Sequence, residues 1–548
     1  MSEHTDTTAL YPAGDMAAWR AAGYWNDDTF ATFLREAAAR FGDNEAVVGH
    51  DLHGVNHRLS YRELSTAAET TARRLRALGI TRGDFVVVQL PNTTEFLPTI
   101  FALFHLGARP VFALPAHRAA ELRHFLASTN AAAWIAPGSH NGFDYRGLAR
   151  EVLPALSNPV QVIIAGPDPA EFASLGGEPV ADLPAPAPVA PEELAFLQVS
   201  GGSTGIPKLI PRTHADYLYS VRESARICQL SPATRMLVVL PVSHNFTMSS
   251  PGVLGVLWAG GTVILTEDPT PTSVFHLIDA EKVTMTAAVP PLAMTWLALR
   301  PRIDAHLDTL EVLQVGGAKF PAEAARKVTP VLGCRLQQVF GMAEGLVNYT
   351  RADDPEDVVT GTQGRPISPA DEILILDDEG HPVPEGESGH LLTRGPYTIR
   401  SYFNGADPGA FTDDGFYRTG DIVRRLPTGH LIVEGRDKDH INRGGEKISA
   451  EEVENHLIAH PDIIDAALVA IPDDYLGERS CAWIISDTPP TATEIREFLT
   501  RRGLAAYKLP DRFEFESSFP LTGVGKISRK ALRRRLAATL TTDTSKDD

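Results

Sequence analysis

A chain of 548 residues is too long to fold around one core, so several domains or subdomains are expected. Its apolar fraction of 43% and charged fraction of 22% are those of a soluble globular protein, and a net charge of −19 argues against a nucleic-acid-binding surface, which would be basic. The three cysteines, Cys228, Cys334 and Cys481, are far apart and form no CxxC pair, so neither a disulfide framework nor a zinc site is suggested.

The start, Met1 to Thr8, is polar and lacks the basic and apolar regions of a signal peptide. No apolar run reaches the length of a membrane span, and the expectation is a cytoplasmic protein that touches no membrane. Ser60 to Leu78 reads as an amphipathic helix, with Ser60 as N-cap, Glu63 completing a capping box and Gly79 ending it. Phe85 to Leu90 reads as a buried strand and Phe96 to Leu106 as a helix. Short apolar strands then recur at Val160–Ala165, Met236–Leu240, Thr262–Leu265 and Leu310–Val315, the rhythm of layered α/β structure with a mainly parallel sheet. Asp182 to Pro191 (DLPAPAPVAP) reads as a stiff proline-rich linker.

That linker leads to the strand Leu194 to Val199 and then to SGGSTGIPK. Gly201, Gly202 and Gly205 let backbone N–H groups approach an anion closely, and Ser200, Ser203 and Thr204 add hydroxyl donors. With Lys208 the chemistry is that of a loop gripping a polyphosphate. It is not a Walker loop, because Pro207 precedes the lysine and Leu209 follows it. His244 and Asn245 stand at the end of the next apolar strand, in PVSHNFTMSSPG; they either cap a helix or bond a small polar ligand. Gly316 and Gly317 in VGGAK allow a flat ring to lie against backbone. Glu344, in QQVFGMAEG, is either a capping acid or a magnesium ligand. Asp421, in YRTGD, can accept hydrogen bonds from a ribose diol or sit in a surface turn. The charged, glycine-containing stretch GRDKDHINRGGEK marks a domain boundary, after which helix, strand, helix and strand form a compact α+β unit. Its end, PLTGVGKI, holds Lys526 in a small turn, and the tail from Thr541 reads as disordered.

SGGSTGIPK, GGAK, QQVFGMAEG, YRTGD, GRDKDHINRGGEK and TGVGK in this order resemble the adenylate-forming superfamily of acyl-CoA synthetases, luciferases and peptide-synthetase adenylation domains. PVSHNFTMSSPG and FGMAEGLVNYTR are similar to the stand-alone aryl-acid–AMP ligases within it. The resemblance implies a large N-terminal domain of layered α/β subdomains (1–435) and a small, mobile C-terminal α+β domain (436–548). It implies that a carboxylate attacks the α-phosphate of ATP, releasing pyrophosphate, and that the phosphopantetheine thiol of an aryl carrier protein, acting in trans, then takes the acyl group.

On that resemblance Ser200 to Gly205 and Lys208 would hold the phosphates, and Glu344 would hold Mg2+. Gly316, Gly317, Gln338, Val339, Phe340 and Gly341 would flank adenine and the acyl ring, and Asp421 and Arg436 would bind ribose. Lys526 would bridge carboxylate and α-phosphate. Lys438 matches the hinge, where many relatives have Asp, and Gly444 and Gly445 would line the pantetheine tunnel. His244, Asn245, Phe246, Ser250, Val339 and Val347 would line the acid pocket. The polar Ser250 and small Val347 favour 2,3-dihydroxybenzoate, with salicylate, 3-hydroxypicolinate and 3-hydroxyanthranilate as alternatives. An aryl-CoA ligase and a non-catalytic nucleotide-binding protein are the competing classes.

Overall fold

The computed structural model describes residues 10–177, 185, 188–200, 207–436, 441–443, 446–473, 476–523 and 525–543. Two sheets with parallel centres carry the large part. One has nine strands in the order Arg365–Pro366, Gly345–Tyr349, Arg335–Met342, Val312–Gly316, Met285–Ala288, Arg235–Val238, Thr262–Leu265, Glu45–His50 and Asn56–Ser60. The strands from Arg335–Met342 to Glu45–His50 run parallel, and antiparallel strands close both edges. The central strands are apolar on both faces because helices cover both, as parallel sheets require. The other sheet has seven strands, with Leu194–Val199 between parallel Arg109–Phe112 and antiparallel Leu209–Thr213. Between the sheets Phe30 stacks on Phe104 with ring centroids 4.8 Å apart, and Phe196 meets Tyr217 edge-on at 4.7 Å.

The helix from Ser60 forms as its capping box dictates. It spans Tyr61–Ala77, the Ser60 hydroxyl accepts from Glu63 N, and the Glu63 carboxylate accepts from Ser60 N at 2.8 Å. Gly79 follows at φ +90°, a left-handed backbone that glycine adopts without strain. Phe96–Leu106 is a helix buried almost all round.

A four-stranded antiparallel sheet, Glu372–Leu376, Ser388–Arg394, Tyr417–Arg425 and Leu431–Arg436, lies beyond the large sheets. The next described strand, Ile441–Arg443, belongs to the C-terminal sheet, so the sheets change between residues 436 and 441. There Asp465–Asp473 and Gly477–Ile485 pair antiparallel, and Arg512–Phe515 adds in parallel. Ala450–Ile458, Ala492–Arg501 and Arg529–Asp543 are its helices. The last of these takes in the first three residues of the expected tail, Thr541 to Asp543, and residues 544–548 lie outside the described residues. Leu532 and Leu536 are buried one turn apart, and the helix-favouring Ala537 and Ala538 carry it through Thr541 to Asp543. Among the described residues no helix is long and apolar enough to cross a membrane.

Candidate active site

The glycine-rich loop joins two antiparallel strands, so its ends are held together. Ser200 N donates to Lys208 O, and Lys208 N donates to Ser200 Oγ, both at 2.9 Å. Gly201, Gly202, Ser203, Thr204 and Gly205 lie outside the described residues. Lys208 Nζ pairs with Asp407 and stands 4.6 Å from the centre of the Tyr402 ring. The Tyr402 hydroxyl donates to Glu344 Oε1 at 2.8 Å and lies 3.0 Å from the Tyr417 hydroxyl. A cation expected at phosphates and a carboxylate expected at magnesium therefore sit on the two sides of one tyrosine.

Glu344 is buried, and its Oε2 meets no hydrogen-bond donor among the described residues. No group of three or more His, Cys, Asp or Glu side chains converges on a metal position among those residues. A lone carboxylate oxygen suits magnesium, which takes one or two carboxylates and completes its shell with phosphate oxygens and water. The loop before Glu344 is pinned from beneath by Arg212, which is 2% exposed. Its guanidinium donates to Asp216 Oδ1 at 2.9 Å, Ala343 O at 2.6 Å and Tyr397 O at 3.0 Å.

Of the two readings of the His244–Asn245 pair, the structure shows the helix cap. His244 caps the short helix Asn245–Ser249, its Nδ1 accepting from Phe246 N at 3.3 Å. Burial, then the charge of Lys526, pushes its imidazole down to about 3, so it is neutral. Asn245 Oδ1 accepts from the Tyr217 hydroxyl at 2.8 Å, which fixes the amide and leaves its N–H2 without an acceptor among the described residues. That geometry offers a donor to a ligand oxygen.

A Cβ on Gly316 would lie 2.8 Å from Val339 O and 3.1 Å from Phe246 Cζ. One on Gly341 would lie 3.3 Å from Val347 Cγ2. Phe246, Gly316, Val339, Gly341 and Val347 thus form one surface, made where the ends of two adjacent strands meet the short helix. Buried Ser250 follows that helix, its N–H donating to Phe246 O at 3.1 Å. Gln338 is different. Its side chain donates to Val359 O at 2.7 Å and accepts from Gln363 at 3.1 Å, so its amide is held within the protein. Phe340 packs toward Leu346, Leu391, Val423 and Val433.

Asp421 and Arg436 are register partners on adjacent strands, with Arg436 Nε donating to Asp421 Oδ1 at 3.1 Å. Asp421 is 4% exposed, and burial raises its carboxyl against the opposing pull of Arg436. Lys526 reaches this cluster from the C-terminal sheet's side of the molecule. Its turn is a small hairpin: Thr522 N donates to Lys526 O at 2.7 Å, and Gly525 takes φ +80°. The side chain is not that of a surface hairpin. Lys526 Cε lies 3.0 Å from where a Cβ on Gly317 would be, and Gly317 itself needs φ +87°. Burial, then repulsion from Arg436, pushes the ammonium down to about 8, while Asp421 and Glu344 support the charge. Lys438, Gly444 and Gly445 lie outside the described residues.

A basic residue, Lys526, thus meets Gly317 beside the Asp421–Arg436 pair. The AMP-binding enzyme family profile matches residues 34–403, and that of the AMP-binding enzyme C-terminal domain matches 452–526. The chain belongs to the AMP-binding enzyme family. This AMP-binding enzyme is 55% identical to 2,3-dihydroxybenzoate-AMP ligase of Bacillus subtilis (strain 168), over 95% of this chain and 96% of the relative. It is 46% identical to the salicyl-AMP ligase / salicyl-S-ArCP synthetase of Mycobacterium tuberculosis (strain ATCC 25618 / H37Rv), over 96% and 94%. Among solved structures, apo MbtA of Mycobacterium smegmatis superposes with a TM-score of 0.73 at 45% identity, covering 96% of this chain and 98% of that one. The AMP-binding enzyme is an adenylate-forming ligase that uses ATP.

Three side chains that hold the candidate site residues in place were not singled out from the sequence. Tyr402 orients Glu344, Tyr217 orients Asn245, and Arg212 fixes the backbone at Ala343. Only Arg212 carried a signal, as a charge inside the otherwise uncharged strand Leu209–Thr213 (LIPRT) directly after the glycine-rich loop.

Proposed function

We propose that this enzyme joins an aromatic carboxylic acid, 2,3-dihydroxybenzoate, to AMP with release of pyrophosphate, and then passes the aryl group to the phosphopantetheine thiol of a carrier protein in trans. The observation that carries the reading is Lys526, brought by the small C-terminal part (436–548) against Gly317 of the large part (1–435). There it faces Asp421, Arg436 and Glu344. Two anions repel as the carboxylate approaches the α-phosphate. A charged ammonium between them lowers that barrier and stabilises the charge that develops in transfer.

Around it the other groups take separate tasks. Asn245 N–H2 donates to an ortho-hydroxyl or carboxylate oxygen of the acid. Neutral His244 and Phe246 shape the wall, and Gly316 and Val339 bound the ring on its flat side. Asp421 accepts from the ribose diol while Arg436 holds its carboxylate in place. Gly317 and the 338–341 backbone flank adenine. Lys208 and the loop 200–205 hold the β- and γ-phosphates, and Glu344 Oε2 would hold magnesium, which supplies charge to those phosphates. Positioning of both reactants in one slot accounts for much of the remaining acceleration.

The acid is chosen by the far end of the pocket, where buried Ser250 offers a hydroxyl and Val347 leaves room for a 3-substituent. The support is the 2,3-dihydroxybenzoate relative at 55% identity. Acid-dependent ATP–pyrophosphate exchange over a panel of aryl acids tests it. Exchange highest with 2,3-dihydroxybenzoate is expected. A preference for salicylate or a 3-hydroxypyridine acid would overturn the choice of acid and keep the chemistry, and no exchange with any acid would overturn the chemistry.

A further inference from the structure

Beside Ser250 lie buried hydroxyl groups to which the proposed reaction gives no task. Tyr349 and Ser224 are each 0% exposed, and neither hydroxyl has a hydrogen-bond partner in direct bonding geometry. Burying an unsatisfied hydroxyl is unfavourable, so a native site that keeps two of them calls for a reason. Tyr349 stands two residues after Val347 on the strand Gly345–Tyr349, so both project from one face, and its register partner across the pair is Val339. Ser224 lies two turns along the helix His214–Ile227 from Tyr217, on the side that orients Asn245. The hydroxyls of Ser224 and Ser250 flank that of Tyr349. Behind it the nearest thiol is already committed, since Cys228 Sγ donates to Gln337 Oε1 at 3.3 Å. Among the described residues, the two serines are the hydroxyl partners that stand beside the Tyr349 hydroxyl.

We propose that Tyr349 is a positioning residue for substrate choice: its hydroxyl donates to Ser250 Oγ, Ser224 donates to Tyr349, and the Ser250 O–H is thereby aimed at an oxygen on the 3-position of the aromatic ring. This rests on the aryl-acid reading above. The ligand class it selects is a benzoic acid with a 3-hydroxyl beside the 2-hydroxyl that Asn245 meets. An acid lacking that oxygen leaves the relay without its last acceptor, which is the kind of loss that discriminates strongly between substrates.

The test is pyrophosphate exchange by the full chain and by Tyr349→Phe and Ser224→Ala, each with 2,3-dihydroxybenzoate and with salicylate. In Tyr349→Phe the ratio of kcat/KM for the two acids is expected to fall about fivefold or more toward salicylate, the worth of one neutral hydrogen bond. The loss should appear in KM for 2,3-dihydroxybenzoate, with KM for ATP moving least. Ser224→Ala should shift the ratio the same way by a smaller factor, and it carries the test alone if Tyr349→Phe does not fold. An equal loss with both acids, as general damage to packing would cause, or a ratio left unmoved, overturns the proposal. Wild-type enzyme that exchanges with neither acid overturns the aryl-acid reading itself, an outcome distinct from a selective wild type with unmoved variants.

Discussion

Lys526 places a pH limit on adenylate formation that can be worked from its surroundings. Burial is the largest influence on its ammonium, Arg436 adds repulsion, and Asp421 and Glu344 oppose both; together they bring it from 10.5 to about 8. The direction matters. A base whose pKa is lowered holds its proton below that value and loses it as pH rises through it. Lys526 is then about nine-tenths charged at pH 7, half charged at pH 8 and about one-tenth charged at pH 9. Only the charged form can bridge carboxylate and phosphate, so kcat/KM for exchange should fall about tenfold between pH 7 and 9. The assay is acid-dependent pyrophosphate exchange at constant ionic strength and saturating magnesium. Arg436→Gln removes the repelling cation and should move the falling limb to higher pH. A profile flat to pH 10, or a limb that Arg436→Gln leaves in place, would refute the argument that these neighbours set the lysine.

Other side chains give sharper local tests. Tyr402→Phe removes the hydrogen bond to Glu344 Oε1, and the apparent affinity for magnesium in exchange should fall about tenfold, the scale of a bond to a charged group. Gly316→Ala puts a Cβ 2.8 Å from Val339 O, a backbone atom that cannot step aside, so KM for the acid should rise about tenfold or more while KM for ATP moves less. Arg212→Met leaves Asp216 buried without its ion pair and frees Ala343. A loss of about 3–5 kcal/mol should be read in denaturant unfolding, with weakened magnesium dependence in whatever activity remains.

How far the sequence reached depended on whether a residue's meaning was local. Ser60 and Glu63 read as a capping box because the box is closed within four residues, and it forms as read. Phe96–Leu106 read as a helix to its end residues because Gly107 stops it in the left-handed region. Asn245 and Glu344 were singled out by type and position, but the tyrosines that orient them were not, because Tyr217 and Tyr402 lie 28 and 58 residues away in the chain. The two parallel-centred sheets showed as alternating helices and short apolar runs. The antiparallel closing strands did not, because Gly345–Tyr349 is as buried as the parallel strands and shows no alternation of exposure. The small turn at Lys526 was legible in the sequence and forms as a hairpin, and the resemblance gave the lysine its expected role; its approach to Gly317, more than 200 residues away in the chain, had no local signal.

The depth of that insertion bears on the second half of the reaction. Carrying a charged Lys526 into this site costs about 3 kcal/mol, a penalty fully present below pH 8 and relieved as pH rises from there toward 10.5. The bound phosphates and carboxylate offset it, so ATP and acid favour this arrangement of the small part and loss of pyrophosphate weakens it. Lys526 Cε meanwhile lies against Gly317; on the proposed two-step reading, a thiol that reacts there needs the lysine withdrawn. The two half-reactions should then respond differently to its removal. Lys526→Ala is expected to lower pyrophosphate exchange by about 10²- to 10³-fold, the range for losing one group that stabilises developing charge. Transfer of a preformed aryl-adenylate to a carrier thiol should keep most of its rate, because that step needs the lysine absent. If the variant lost both steps equally, the lysine would be needed where the thiol reacts, and rotation of the small part between half-reactions would no longer follow from this geometry.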